Sequence, residues 1–357
     1  MTPKFHALRV AQIRQECQDA ISLNFEMSDA VKDDFQFAPG QHLTLKAKVG
    51  GQELRRSYSI CSGVHDGEIR VAIKKVAGGI FSTWANTELK VGDVIDVMTP
   101  EGKFGISLSP SHQKHYVAFA AGSGITPILS MIKTILAEES LSRFSLIYGN
   151  RRQSTSMFQE ELEDLKNRYL TRFSLFNLYS GEDQDVPLFN GRLNKEKVSI
   201  FLNNLIAVDS IDDAFICGPG AMIDEVEKTL LDAGISSEHI HLERFGVPVA
   251  NEQVKPQVIA GDASQAKIIV IQDGLRREMD FREGDPSILD VAIKNGMDLP
   301  YSCKGGVCCT CRAKILEGEV RMDKNFSLEK SDVDAGYVLT CQAHPLTEKV
   351  VVSFDDR

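Results

Sequence analysis

Four of the chain's eight cysteines, Cys303, Cys308, Cys309 and Cys311, fall within nine residues, and Cys341 follows thirty residues later. The spacing C-x4-C-x2-C…C through Cys303, Cys308, Cys311 and Cys341 is that of a plant-type [2Fe–2S] loop. Each iron of such a cluster needs two thiolates beside the bridging sulfides. Gly305 and Gly306 let the backbone wrap closely enough to aim N–H groups at sulfur. A structural zinc ion also takes four thiolates, although zinc favours C-x2-C pairs and only one pair here has that spacing. Cys309 reads either as a small buried side chain or as a labile thiol. Cys17, Cys61 and Cys217 are scattered, so the set is not a disulfide framework.

A second group of residues suits nucleotide chemistry. Gly122-Ser-Gly-Ile-Thr126-Pro127 directly follows the apolar run Tyr116–Ala121. A glycine-rich turn from strand to helix presents free N–H groups and a helix dipole to a pyrophosphate. The motif departs from G-x-G-x-x-G, and no acidic residue ends the next strand to take a ribose hydroxyl. That strand ends instead in Tyr148-Gly-Asn-Arg151-Arg152, where two arginines suit a 2′-phosphate; a solvated basic turn is the plainer alternative. Arg56-Ser-Tyr58-Ser59 and Gly78-Gly79-Ile-Phe-Ser82 combine a phosphate partner, a stacking ring and small hydroxyl donors. Cys217-Gly218-Pro219 ends a further apolar strand, on the edge where open α/β sheets bind ligands.

The elements that must position these groups divide the chain. Ile21, Leu23, Phe25 and Met27 alternate with polar residues, and Leu43/Leu45, Ile69/Val71/Ile73 and Val94/Val97 add short apolar segments between turn signals. That pattern predicts an antiparallel β-barrel, or a sandwich, over 1–108. From 109 to 247 strands alternate with helices. Strands are predicted at 116–121, 144–148, 173–178 and 214–217, with helices at 127–136, 158–169, 195–205 and 221–231. This is an α/β domain with a parallel sheet. Residues 248–264 read as a linker rich in small and polar residues. Residues 265–357 form a small α+β domain, with strands at 268–271 and 277–281, a helix at 288–294, the cysteine loop and two short terminal strands. The fold class is therefore multidomain.

With 40 basic and 50 acidic residues the net charge is −10, which argues against nucleic acid as the main partner. The longest uncharged run, 18 residues between Lys114 and Lys133, is broken by Gly122-Ser-Gly and Thr126-Pro127, so a membrane span is not expected. The N-terminus has no apolar segment of signal-peptide type, and a cytoplasmic protein is expected.

Together the motifs resemble the ferredoxin–NADP reductase superfamily, in the order of the oxygenase reductases that carry a plant-type ferredoxin domain of β-grasp type last. The resemblance covers essentially the whole chain. It implies an enzyme in which Arg56, Tyr58 and Ser59 hold FAD, with Ser59 near the reactive ring nitrogen, and Gly79 and Ser82 hold its pyrophosphate. Gly122, Gly124 and Thr126 would bind the nicotinamide nucleotide, Arg151 and Arg152 its 2′-phosphate, and Cys217 with Gly218 would border the hydride path. Phe245, in HLERF, would lie against the flavin, and Cys303, Cys308, Cys311 and Cys341 would ligate the cluster. The implied activity passes electrons from NADPH through FAD and [2Fe–2S] to a di-iron oxygenase component. FMN in place of FAD, another oxygenase or hybrid-cluster acceptor, and a non-enzymatic zinc or redox-sensing protein stand as alternatives.

Overall fold

The computed structural model describes residues 4–245 and 262–356. Contacts divide these into two compact units, one built on 6–54 and 58–245 and the other chiefly on the C-terminal residues. No described helix is long and apolar enough to cross a membrane.

The first unit opens with β1 (Phe5–Cys17), β2 (Ala20–Phe25), β3 (His42–Val49), β4 (Gln52–Ser59), β5 (Arg70–Lys74), helix α1 (Ile80–Thr87) and β6 (Val94–Met98). The strands form a sheet in the order β4-β3-β6-β1-β2-β5. Its edges meet where Ile60, just past β4, bridges Val71 of β5, and the Cys61 N–H donates to the Arg70 carbonyl at 2.8 Å. The sheet closes into the expected barrel. Alternating Leu23, Leu43, Leu45, Val71 and Val97 fill it, and α1 adds Phe81 and Ala85. The expected strand at 21–27 ends at Phe25, and α1 carries the Gly79…Ser82 motif on a helix that periodicity did not reveal.

The chain continues with β7 (His115–Ala121), α2 (Ile125–Glu138), β8 (Arg143–Asn150), α3 (Gln159–Arg168), β9 (Phe173–Tyr179), α4 (Lys195–Asn204), β10 (Asp213–Gly218), α5 (Gly220–Asp232) and β11 (Ile240–Arg244). All five strands are parallel, in the order β11-β10-β7-β8-β9, so the winding reverses between β7 and β10. β11 is an addition to the four expected strands; only Ile240 and Leu242 among its five residues hint at the edge it completes. Helix α3 begins one residue later than expected because Phe158 is left-handed, at φ 58°.

Helix α2 has no side-chain cap at its N-terminus. A missing cap costs about 1 kcal/mol, whereas each fully buried Ile or Leu contributes about 1.5–3 kcal/mol. Ile125, Ile128, Leu129, Ile132, Ile135 and Leu136 are all buried. Packing therefore holds the helix without a side-chain cap, and its first amide, the Ile125 N–H, donates to the Gly122 and Ser123 carbonyls. The turn before it, Gly122–Gly124, lies against β10 so closely that a Cβ on Gly124 would stand 2.1 Å from the Cys217 carbonyl oxygen.

The second unit contains β12 (Gln265–Gln272), β13 (Leu275–Arg282), α6 (Ile288–Lys294), β14 (Arg312–Glu317), β15 (Val320–Met322), α7 (Lys330–Asp334), β16 (Tyr337–Leu339), β17 (Ala343–Pro345) and β18 (Lys349–Ser353). Its main sheet runs β13-β12-β18-β14-β16, with β12 and β18 parallel, and β15 pairs separately with β17. Ser287 caps α6, accepting from the Asp290 N–H at 3.1 Å. Ile288, Leu289, Val291 and Ala292 of α6 are buried with Ile268, Val270, Val350 and Val352. This is an α+β ferredoxin-like fold. Five strands follow the cysteine loop where two were expected, since three-residue strands carry no readable period. Of the expected linker, 248–261 lies outside the described residues. Residues 262–264 are tied into this unit: Arg321 pairs with Asp262, and the Ala263 N–H donates to Pro345 at 3.0 Å.

Replacing Gly124 with Ala forces the turn away from β10. The expected cost is about 1–3 kcal/mol, read as a lower Tm together with weakened nucleotide binding; an unchanged Tm and affinity would contradict the close approach.

Candidate functional site

The cysteine loop runs from α6 to β14 without regular structure. Its thiols fall into two pairs. Cys308 lies against Cys303 and, with the N–H groups of Gly305, Val307 and Cys308, draws the Cys303 thiol down to about 6, against the effect of burial. The Gly305 N–H donates to Cys303 Sγ at 3.3 Å. Cys308 is correspondingly pushed up by its bond with Cys303 and by burial, and Cys311 by its bond with Cys341 and by burial. No set of three or more His, Cys, Asp or Glu among the described residues is placed to hold one metal ion. Two such pairs fit a [2Fe–2S] centre, in which each iron takes two thiolates.

The surrounding loop is shaped to keep those sulfurs inward. Gly306 takes φ 78°, and a Cβ there would stand 2.9 Å from the Lys324 carbonyl oxygen. The Gln342 amide donates to the Lys304 carbonyl at 2.9 Å and reaches Cys341 Sγ at 3.6 Å. Cys309 is left-handed at φ 54°, and its thiol donates to the Ser327 carbonyl at 3.1 Å. It therefore points to the loop backbone and is a half-buried structural thiol.

In the first unit the strand ends converge. Ser59, the last residue of β4, is buried, and its hydroxyl donates to Glu243 on β11 at 3.3 Å. Glu243 sits opposite Cys217 in the parallel register, and Cys217 in turn sits opposite Ala120 of β7. Burial pushes the Glu243 carboxyl up to about 8, although the Ser59 hydrogen bond works the other way. Burial and the neighbouring Glu243 raise the Cys217 thiol well above its ordinary range, so it is a neutral, fully buried side chain. Glu243 was not singled out in the sequence; the E-x-aromatic order before Phe245 was the available signal. Phe245 follows β11 and is exposed.

The residues expected to hold a flavin lie along β4 and α1. Tyr58 packs near Phe81, with ring centroids 5.9 Å apart, and Arg56 is exposed on the same strand. Gly79 caps α1 without a side-chain hydrogen bond. The Ser82 hydroxyl is committed, accepting from the Val76 N–H at 3.1 Å and donating to Gly79 at 3.3 Å. What α1 offers a pyrophosphate is thus its uncapped amides, which fits an anionic ligand.

At the nucleotide edge, the Thr126 hydroxyl likewise donates internally, to the Ser123 carbonyl at 3.0 Å, and Tyr148 donates to Gly122 at 3.0 Å. These bonds shape the turn. Gly218 packs on Ala121 and Met222. Asn150, at the end of β8, keeps its side-chain Nδ2 buried without a hydrogen-bond partner. Such an orphan donor on the ligand edge fits a hydroxyl or phosphate acceptor. Arg151 and Arg152 follow it, both exposed.

Comparison with known proteins agrees with this arrangement. An oxidoreductase FAD-binding domain model matches residues 7–106, an oxidoreductase NAD-binding domain model 119–228, and a 2Fe-2S iron-sulfur cluster binding domain model 270–346. The chain is 47% identical to a 1,2-phenylacetyl-CoA epoxidase component of Escherichia coli (strain K12), across 98% of each. It is 31% identical to the 3-ketosteroid-9-alpha-monooxygenase ferredoxin reductase component of Rhodococcus rhodochrous, across 97% of this chain and 96% of that one. Phthalate dioxygenase reductase shares the fold across 98% of both chains, with a TM-score of 0.58 and 21% identity. The parts thus recur in one order over nearly the full length of these relatives, and the chain is an oxidoreductase of the family of ferredoxin–NADP reductase-type oxygenase reductases, with FAD, nicotinamide-nucleotide and [2Fe–2S] domains.

Proposed function

We propose that this chain is the reductase component of a phenylacetyl-CoA epoxidase, drawing electrons from NADPH and delivering them singly to a di-iron oxygenase partner in the cytoplasm. The 47% identity to the Escherichia coli component across both full chains carries the choice of acceptor. FAD supplies the conversion from a two-electron hydride donor to one-electron delivery, and the [2Fe–2S] centre supplies the one-electron outlet.

The chain's own residues bind, orient and shield. The uncapped amides of α1, with Arg56 and Tyr58, hold the flavin phosphate and ring. The Gly122–Gly124 turn and the positive dipole end of α2 hold the nucleotide pyrophosphate, with Asn150, Arg151 and Arg152 at its ribose end. Cys217 and Gly218 border the nicotinamide end of this edge. Ser59 and Glu243 hold a proton where β4 meets β11: with its carboxyl raised to about 8, Glu243 is neutral at pH 7. Cys303 with Cys308, and Cys311 with Cys341, would hold the cluster, each pair supplying two thiolates. An oxygenase for another ring is the second reading, favoured by the 31% identity to the ketosteroid monooxygenase component.

The deciding experiment supplies the purified protein and NADPH to a phenylacetyl-CoA epoxidase oxygenase component and, separately, to a ketosteroid oxygenase. Epoxide formed only with the first supports the proposal; turnover only with the second overturns the acceptor.

Three further outcomes follow. In Cys308→Ser, NADPH still bleaches the flavin, whereas reduction of a one-electron protein acceptor is lost; intact reduction of that acceptor would remove Cys308 from the relay. In Arg151→Ala and Arg152→Ala, KM for NADPH rises about tenfold or more while KM for NADH stays level, since only NADPH loses a charge-assisted phosphate bond. Equal effects on both nucleotides would place the arginines elsewhere.

For Glu243 the folded carboxyl titrates near 8 against an ordinary 4.5. The folded chain therefore keeps a proton that the unfolded chain gives up, so this group's contribution to stability falls as pH rises from 4.5 through 8. The rate of flavin reduction should change across pH 8 in the parent protein. Glu243→Gln should flatten both profiles, and a mutant that retains the pH 8 step would assign it to another group.

A further inference from the structure

Hydride transfer requires the flavin strand end and the nucleotide turn to hold a fixed spacing, and they sit on different layers of the first unit. Helix α2 begins at the Gly122–Gly124 turn. The segment that leaves Ser59 lies along this helix. The Ser130 hydroxyl donates to the Ser62 carbonyl at 2.7 Å, and the Val64 N–H donates to Thr134 at 3.2 Å. A Cβ on Gly63 would stand 2.8 Å from Lys133 Cβ, so the backbone meets the helix directly.

A cluster of charges around the buried Arg70 lies beside this seam. Arg70, which opens β5 of the barrel, is 3% exposed, and its Nη2 donates to both oxygens of Glu161 at 2.8 and 2.7 Å. Glu161 belongs to α3 of the parallel-sheet layer, and its Oε1 also accepts from Lys133 of α2 at 2.5 Å. Lys133 reaches back to Asp66 of the barrel segment, likewise at 2.5 Å. Glu16 and Glu68, on the barrel side, lie 3.5 and 3.3 Å from the same guanidinium. The Arg70 guanidinium also covers the ring of Phe158, whose left-handed backbone starts α3. Glu161 is thus the carboxylate through which the barrel, α2 and α3 are joined.

The helix makes this junction a lever. Lys133 is nine residues beyond Gly124, about 14 Å along the axis. A tilt of about 4° at Lys133 therefore shifts the nucleotide turn by about 1 Å, and a misplacement of that size can cost about a hundredfold in rate.

We propose that Glu161 is a positioning residue for hydride transfer, holding Arg70 and Lys133 together so that the Gly122–Gly124 turn keeps its spacing from Ser59. It touches neither cofactor nor substrate. The proposal rests on the reading of the flavin and nucleotide sites given above.

The test uses the flavin-loaded full chain in anaerobic stopped flow with NADPH. In Glu161→Gln the limiting rate of flavin bleaching, per bound flavin, should fall about tenfold or more. The nucleotide Kd and the oxidation of dithionite-reduced protein by ferricyanide should stay within about threefold, a rate-against-affinity split that a merely structural role would not give. Lys133→Met, which keeps the Arg70–Glu161 pair, should lose less in the same direction and carries the test if Glu161→Gln folds poorly. Glu138→Gln breaks only the exposed pair with His65 on the same seam and should leave the rate within about twofold. An unchanged rate per flavin in Glu161→Gln, or a loss that tracks flavin content alone, overturns the proposal. A parent protein that fails to oxidise NADPH at all would instead overturn the functional reading.

Discussion

Hydride transfer is a contact reaction, and that constraint governs the first unit. A hydride moves only between atoms already in near-attack geometry, so two ligands bound by two layers of the fold must meet at one edge. The fold meets the requirement with its winding. Reversal of strand order between β7 and β10 opens a crevice at their carboxyl ends. Gly124 lets the nucleotide turn descend onto Cys217, and Ser59 arrives from the barrel to meet Glu243. Nothing in this set is a conventional nucleophile. Cys217 is buried and neutral, and the hydroxyls of Thr126 and Ser82 are spent on shaping turns. The chemistry belongs to the ligands, and the protein's contribution is distance and charge.

The second unit answers a different constraint. Four thiolates gathered in a dry loop repel one another unless cations lie between them, and metal binding then becomes part of the folding free energy. The loop is prepared unequally for this. Cys303 receives backbone N–H groups and is drawn toward the thiolate, whereas Cys308 and Cys311 are held as thiols by their partners and by burial. Cys303 is therefore poised to bind, whereas Cys308 and Cys311 would surrender protons on loading. The left-handed residues Lys304 and Cys309 mark where the backbone bends around the sulfurs. Backbone strain of this kind persists only where the surroundings fix it.

Much of the architecture was legible because burial imposes simple periods. The alternation at Ile21–Phe25, the unbroken run Tyr116–Ala121 and the helix Ile288–Lys294 reappear as β2, β7 and α6. The cysteine spacing exposed the cluster loop because ligand geometry constrains positions in sequence as well as in space. Elements with weak or short patterns escaped. The 13-residue β1 interleaves Arg9, Arg14 and Glu16 with its apolar positions, and β15, β16 and β17 span three residues each. Glu243 escaped for another reason: its significance depends on the register of β11 against β10 and on the reach of Ser59 from 184 positions away.

The same reasoning explains why Arg70 could not be read from the sequence. An arginine opening a β-strand ordinarily reads as a solvated strand end. Its burial at 3% exposure makes sense only with Glu161 opposite, 91 residues later. Removing one partner from a buried ion cluster leaves an uncompensated charge, while replacing the whole cluster with apolar side chains can be neutral or stabilising. Stability alone therefore gives little reason to keep six charged groups at this seam. Directional need gives a better one: Arg70 Nη2 meets both oxygens of Glu161 while Lys133 holds one of them, so groups from three elements fix angle as well as distance, and angle is what a 14 Å helical lever transmits to the nucleotide, at about 1.5 Å per residue.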